Sequence, residues 1–164
     1  ELLVKRGTAV ADAIVAQRVG HVLSVSAASG RGYDVGAHVG KHLLFVAVGS
    51  GVAPIRAALG VVVARRARFG EVAAYLGQRE PNDFVYADDM ERFARQNMRV
   101  VRVLSGNDPS WTGPRGHVQD AIVRDAPSLA DTVAFACGMK NMVNDVTRAL
   151  AGLGLGREHV LQNC

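Results

Sequence analysis

The chain has 164 residues, 49% hydrophobic and 21% charged, which provides for a compact domain with a sizeable core and excludes wholesale disorder. Nineteen Lys and Arg against 15 Asp and Glu leave a formal charge of +4, a mild excess suited to a phosphate-bearing ligand or an acidic partner. Aromatics are only 5% and no basic stretch is interleaved with them, so base-stacking nucleic-acid recognition has little support, and no apolar run approaches the ~18 residues of a membrane span.

The first 38 residues do not share the rhythm of the rest. "ELLVKRG" opens without Met and reads as though it enters in mid-strand, the expectation being a fragment or a processed chain. No signal-peptide pattern is present. "ELLVK" and "HVLSVSAAS" have strand composition, "TAVADAIVAQ" a short helix between them, and "GRGYDVG" a linker. The expectation for residues 1–38 is the edge of a different, antiparallel domain.

From His42 onward a repeat sets in. "HLLFVAV" is a continuous apolar run of strand length, followed by a helix around "PIRAALGVVVARRARFG". "EVAAYLG" predicts a second strand and "YADDMERFARQN" an amphipathic helix. "MRVVRVLS" is a third strand, "GHVQDAIVRDA" a short helix and "DTVAFACG" a fourth strand. "NMVNDVTRALAGLG" predicts a helix stopped by Gly152 and Gly154, and "EHVLQN" a fifth strand. Strands alternating with helices predict an α/β domain over residues 39–164, a parallel five-stranded Rossmann-like sheet flanked by helices.

In such sheets ligands sit at the carboxyl ends of the strands. Gly49-Ser50-Gly51-Val52-Ala53-Pro54 occupies that place after the first strand. Glycine lets a ligand approach the main chain, the next helix presents unpaired N–H groups suited to a diphosphate, and Pro54 fits the first helical turn. The stretch is neither GxGxxG nor a P-loop, and a tight turn without a ligand reads equally well from these residues alone. A second strand end carries Cys137-Gly138, with Met139 and Met142 after it. Cys137 by itself fits a small buried hydrophobe, with no neighbour to activate it as a nucleophile. The second strand ends at Gly77, and Gln78, Arg79 and Tyr86 follow where a dinucleotide fold faces the adenosine ribose. Arg79 beside Glu80 gives a mixed signal for NADPH against NADH.

Together "GSGVAPIRA", "YLGQREPNDFVYADDMERFA" and "ACGMKNM" resemble the nucleotide-domain motifs of the ferredoxin–NADP reductase superfamily, and "VLSGNDPSWTGPRGHVQDAI" is similar to its connection into the fourth strand. The resemblance runs in order from about His42 to Asn163. It implies an NAD(P)H-dependent flavin oxidoreductase, with hydride passing from NAD(P)H to FAD and electrons onward to an unidentified acceptor. By the same resemblance Gly49 to Pro54 carry the diphosphate and part of the nicotinamide ribose. Cys137 and Gly138 flank the nicotinamide, with Cys137 and Ser50 at the hydride-transfer centre and Met139 among the cofactor-binding residues. Gly77, Gln78, Arg79 and Tyr86 meet the adenosine end, and Met142 packs behind the site. Residues 1–38 resemble the closing part of the family's flavin-binding barrel, where Gly7 and Thr8 approach the FAD diphosphate and Thr8 caps a short helix.

The sequence departs from that family in two places. The R-x-[YF]-[ST] flavin motif is absent with most of the barrel, so weak FAD binding is expected of this chain alone. The chain ends in Cys164 where photosynthetic-type members carry an aromatic.

Other readings carry less. His38 and His42 lack a completing carboxylate for a metal, Ser50 lacks the G-x-S-x-G elbow, Cys137 and Cys164 form no zinc spacing, and Trp111 between prolines reads as a loop anchor. The competing function is a nucleotide-binding or interaction module without turnover. The charge also admits docking of an acidic electron-carrier protein, and a cytoplasmic or plastid setting is expected.

Overall fold

A computed structural model describes residues 2–27, 30 and 32–162. Five parallel strands form a single sheet: β1 (His42–Val48), β2 (Val72–Gln78), β3 (Arg99–Leu104), β4 (Thr132–Cys137) and β5 (Val160–Gln162). Their spatial order is β3-β2-β1-β4-β5, and every neighbouring pair is parallel. Four helices cover the sheet: α2 (Val52–Ala64), α3 (Ala87–Arg95), α4 (Val118–Asp125) and α5 (Lys140–Gly152). A short α1 (Ala9–Val15) precedes it.

Alternation along β1 divides the core. Leu43, Phe45 and Ala47 point to a layer with Ile55, Leu59 and Val62 of α2 and Met90 and Phe93 of α3. Leu44 and Val46 point to the opposite layer, with Ala121 and Ile122 of α4 and Val143, Val146 and Leu150 of α5. Because β1 is central and buried on both faces, its run from Leu43 to Ala47 shows no polar position, and His42 stands only at its half-buried entrance. In α3, Met90 and Phe93 are spaced to bury one stripe, while Asp88 and Asp89 open the helix and Arg92 and Arg95 close it, each charge matched to the helix dipole.

The chain reverses its direction of winding between β1 and β4. The β1–α2–β2–α3–β3 half winds outward on one face, and α4 then crosses to the other face and leads into β4 beside β1. From the paired ends of β1 and β4 the chain therefore departs to opposite faces, into α2 and α5, which is where this architecture opens a crevice to a ligand.

The five expected strands of the sheet form, β1 with the boundaries read from the sequence, β2 to β4 within one residue at each end, and β5 starting two residues later than expected. The two expected N-terminal strands do not form among the described residues. Residues 2–5 and 21–27 carry no strand, because no other part of the chain offers their backbone a ladder partner. Ala28 and Ser29, the end of the second of these segments, lie outside the described residues, as do Asn163 and Cys164. The flavin-barrel fragment expected over 1–38 is thus represented in the structure only by α1 and extended chain. The stretch read as a linker is partly structural: Tyr33 donates its hydroxyl to the Ala136 carbonyl at 2.7 Å and sets its ring edge-on against Phe135, and Val35 is buried.

Candidate functional site

The corner after β1 is built by its small residues. Gly49 takes φ +61, a left-handed torsion that turns the chain off the strand without the steric cost a side chain would bring. Gly49 to Gly51 make one 3-10 turn and α2 starts at Val52, so Pro54 lies in the first turn, where its missing N–H leaves no gap in the ladder. The start of α2 carries no side-chain cap: the Val52 N–H donates to the Gly49 and Ser50 carbonyls of the turn itself, and Pro54 brings no N–H. Gln78, at the end of β2, braces the turn by donating its amide to the Gly49 carbonyl at 3.3 Å.

Gly51 makes the decisive contact. A Cβ there would overlap the Cys137 carbonyl and stand 3.0 Å from the Gly138 nitrogen. The corner after β1 and the end of β4 are therefore packed backbone against backbone across the point where the winding reverses. Gly138 has φ +154 and sits against Val48, whose carbonyl oxygen lies 3.3 Å from where a Cβ would be. Val52 is buried, and Ala53 and Pro54 half-buried, so they shape the first turn of α2 beneath the corner. Cys137 is half-buried and registers opposite Ala47, while Ser50 is exposed.

Two grooves flank the corner. The first, of about 290 Å³, lies on the α4–α5 side. It runs over the ends of the strands at Val48 and Gly77 to Ser105 after β3, and its walls are the starts of α4 and α5. His117 and Gln119 line it from α4, and Met139, Asn141, Met142 and Asp145 from α5. Gly77 is needed because α4 comes close: a Cβ would lie 2.8 Å from Val118. Asp120 shapes the mouth by accepting the His117 N–H at 3.1 Å, which fixes the entry to α4. The second groove, of about 180 Å³, lies on the opposite side, between Leu3, Val4 and Lys5 of the N-terminal segment and Gly49, Ser50 and Gln78.

The sequence-predicted residues thus separate. Gly49, Ser50, Gly51, Val52, Cys137 and Gly138 form the crevice, with Met139 and Met142 in the first groove and Ser50 and Gln78 in the second. Arg79 is exposed and lines neither groove; its backbone crosses over Gly106. Tyr86 lines neither as well. It caps α3 in a left-handed conformation, φ 62, and its ring lies 4.3 Å from the Arg56 guanidinium, which also pairs with Asp89. That engagement holds Tyr86 to α2 and α3, away from the α4–α5 groove. Thr8 caps α1 by accepting the Ala11 N–H at 3.2 Å, and Gly7 gives its own N–H to Asp12 at 3.3 Å. The polar lining at Ser105, His117, Gln119, Asn141 and Asp145 was not read as a site from the sequence. Its signal was the His117–Asp120 spacing of a helix start at the far side of the winding reversal.

Among the described residues no cluster of His, Cys, Asp and Glu is placed to hold a metal ion, and no helix is long and apolar enough to cross a membrane.

Residues 45–148 match the family described as "Oxidoreductase NAD-binding domain". The chain belongs to that family. It is the NAD(P)H-binding domain of flavin oxidoreductases of the ferredoxin–NADP reductase superfamily. It is 35% identical over 126 residues to ferredoxin–NADP reductase B of Sorangium cellulosum, covering 71% of this chain and 51% of that protein. It is 24% identical over 164 residues to sulfhydrogenase 1 subunit gamma of Pyrococcus furiosus, covering 98% of this chain and 56% of that protein. The chain spans about half the length of these two relatives. Its fold is similar to the CS-b5R domains of human Ncb5or in their NAD+ form, with a TM-score of 0.85 at 17% identity over 99% of this chain and 48% of that one. A ferredoxin NADP+ reductase from Neisseria gonorrhoeae with bound FAD and NADP shares the fold at a TM-score of 0.61 and 20% identity, over 76% of this chain and 56% of that one.

Proposed function

We propose that this chain is the nucleotide half of an NAD(P)H-dependent flavoprotein oxidoreductase, in which a hydride passes from NAD(P)H to FAD and electrons go on to a further acceptor. The observation that carries the reading is the backbone contact between Gly51 and Cys137–Gly138 at the winding reversal, which joins the glycine turn to the end of β4 and leaves no room for a side chain at position 51. The residues fit the nucleotide. The positive dipole end of α2, free of any side-chain cap, suits a diphosphate, Gly138 lets a flat ring approach the main chain, and the α4–α5 groove extends over the ends of β2 and β3, where the adenosine of a dinucleotide lies in such sheets.

The nicotinamide, when bound, supplies the hydride. The work of the protein is positional. Gly49 and Gly51 hold the turn open, Gln78 fixes the turn's carbonyl, and Cys137 and Gly138 bound the ring site. Ser50, exposed beside the second groove, stands where the nicotinamide would meet a flavin. Placement of this kind removes much of the entropic part of the barrier, up to about 7–11 kcal/mol for well-oriented groups. The hydride step asks for no general acid or base.

The flavin assignment rests on the family. Gly7 and Thr8 are proposed to face the FAD diphosphate in a longer protein, in which Gly7 would exchange its bond to Asp12 for one to phosphate. The mild positive charge is proposed to favour an acidic electron carrier as acceptor.

Amide chemical-shift mapping tests the nucleotide reading. Addition of NADH or NADPH is expected to move the signals of Gly49, Gly51 and Gly138 saturably and to leave those of α1 in place. Shifts confined to residues away from the crevice would refute it.

A further inference from the structure

Resting on that reading, we infer that the α4–α5 groove selects NADH over NADPH. The two nucleotides differ by one phosphate, on the 2′-oxygen of the adenosine ribose. Architectures of this kind accept that phosphate through an arginine, and favour the free 2′-hydroxyl through a carboxylate.

The groove over the ends of β2 and β3 has polar walls of one kind. Ser105, Gln119 and Asn141 offer neutral hydroxyl and amide groups, and Asp145 brings a carboxylate. His117 is the one lining residue able to take up a positive charge, and no lysine or arginine lines the groove.

The nearby cations are engaged or set apart. Arg115 turns back into its own loop, donating to the Asp108 carbonyl at 2.6 Å and the Trp111 carbonyl at 2.9 Å. Arg148 pairs with Asp145 at 3.2 Å from outside the lining. Lys140 opens α5 but is exposed and does not line the groove, and Arg79, the sequence's candidate for the 2′-phosphate, lines neither groove. A 2′-phosphate would enter beside the Asp145 carboxylate, whose Arg148 partner stands outside the lining and is already paired, whereas a ribose hydroxyl meets acceptors throughout. The mixed Arg79–Glu80 signal is thereby resolved by residues from other elements.

The test is a pair of dissociation constants for NADH and NADPH, measured on the full chain under mildly alkaline conditions. NADH is expected to bind at least about tenfold more tightly. Equal affinities, or tighter NADPH, would overturn the inference and leave the nucleotide reading standing; binding of neither would sink the nucleotide reading and the inference with it. Gln119→Arg, which puts a guanidinium into the groove, is expected to move the ratio toward NADPH by about tenfold. Asp145→Asn, a nearly isosteric change in the groove wall, is expected to move it in the same direction by a smaller factor. An unchanged ratio in both variants, each shown to be folded by circular dichroism, would mean that the adenosine lies elsewhere.

Discussion

At the scale of single residues, the fold is held by contacts with narrow tolerances. Gly51 is the tightest. Gly51→Val would force the corner away from Cys137, at about 1–3 kcal/mol of overpacking, and is expected to lower the thermal midpoint while abolishing nucleotide binding. Gly51→Ala, with a smaller intrusion on the same carbonyl, should lie between. Tyr75 shows a different kind of constraint. It is fully buried on β2 and donates its hydroxyl to Asp125 at 2.8 Å, and Asp125 also receives Arg99 at 2.6 Å. Burial first, and then the hydrogen bond to Asp125, push the phenol well above its usual range. Folding thus favours the protonated phenol, so this stability is complete below the unfolded tyrosine value of about 10 and is lost as pH rises above it. Tyr75→Phe is expected to flatten that alkaline decline in denaturant titrations, at a cost near neutrality of about 1–2 kcal/mol for the lost hydrogen bond. A decline of the same slope in both proteins would assign the alkaline sensitivity to other groups. The residue scale is also where the sequence was least legible. Tyr86, which follows β2 as an adenosine-binding residue would, also lies under Arg56 of α2, a contact between residues 30 positions apart that no local spacing announces.

At the scale of elements, legibility followed burial. β1 and β4 are central, and their apolar runs identify them because both faces must be covered. β5 pairs only with β4 and is three residues long, so its sequence carries less pattern and its expected span overshoots. The N-terminal strands show the opposite failure. "ELLVK" and "HVLSVSAAS" have strand composition, but composition without a partner makes no ladder. Hydrogen exchange should show this contrast directly: the amides of Leu43 to Ala47 strongly protected, those of Val22 to Ala27 exchanging freely. Comparable protection in the two segments would contradict the described arrangement. Between layers, Phe135 stacks on Phe45 at 4.9 Å and meets Tyr33 edge-on at 5.3 Å, tying β1, β4 and the chain before β1 together. Phe135→Ala is expected to cost about 3–5 kcal/mol in denaturant unfolding, among the largest single losses available in this sheet.

At the scale of the whole molecule, the crevice exists because the winding reverses between β1 and β4. The glycine corner and the Cys-Gly strand end were legible as separate stretches, but only the strand order brings them together 86 positions apart. The polar groove beside them was not legible, since its walls come from the starts of two helices and the loop after β3. The first 27 residues also expose Leu2, Val10, Val19, Val22 and Val25, an apolar surface in a chain that spans about half the length of its relatives. The central claim is that the crevice binds a pyridine nucleotide, and calorimetric titration of the chain and of its Gly51→Val variant with NADH and NADPH tests it most directly. Saturable binding of at least one nucleotide to the native chain and its loss in the variant are expected, with NADH the tighter ligand. Equal binding to both proteins, or no binding to the native chain, would contradict that claim.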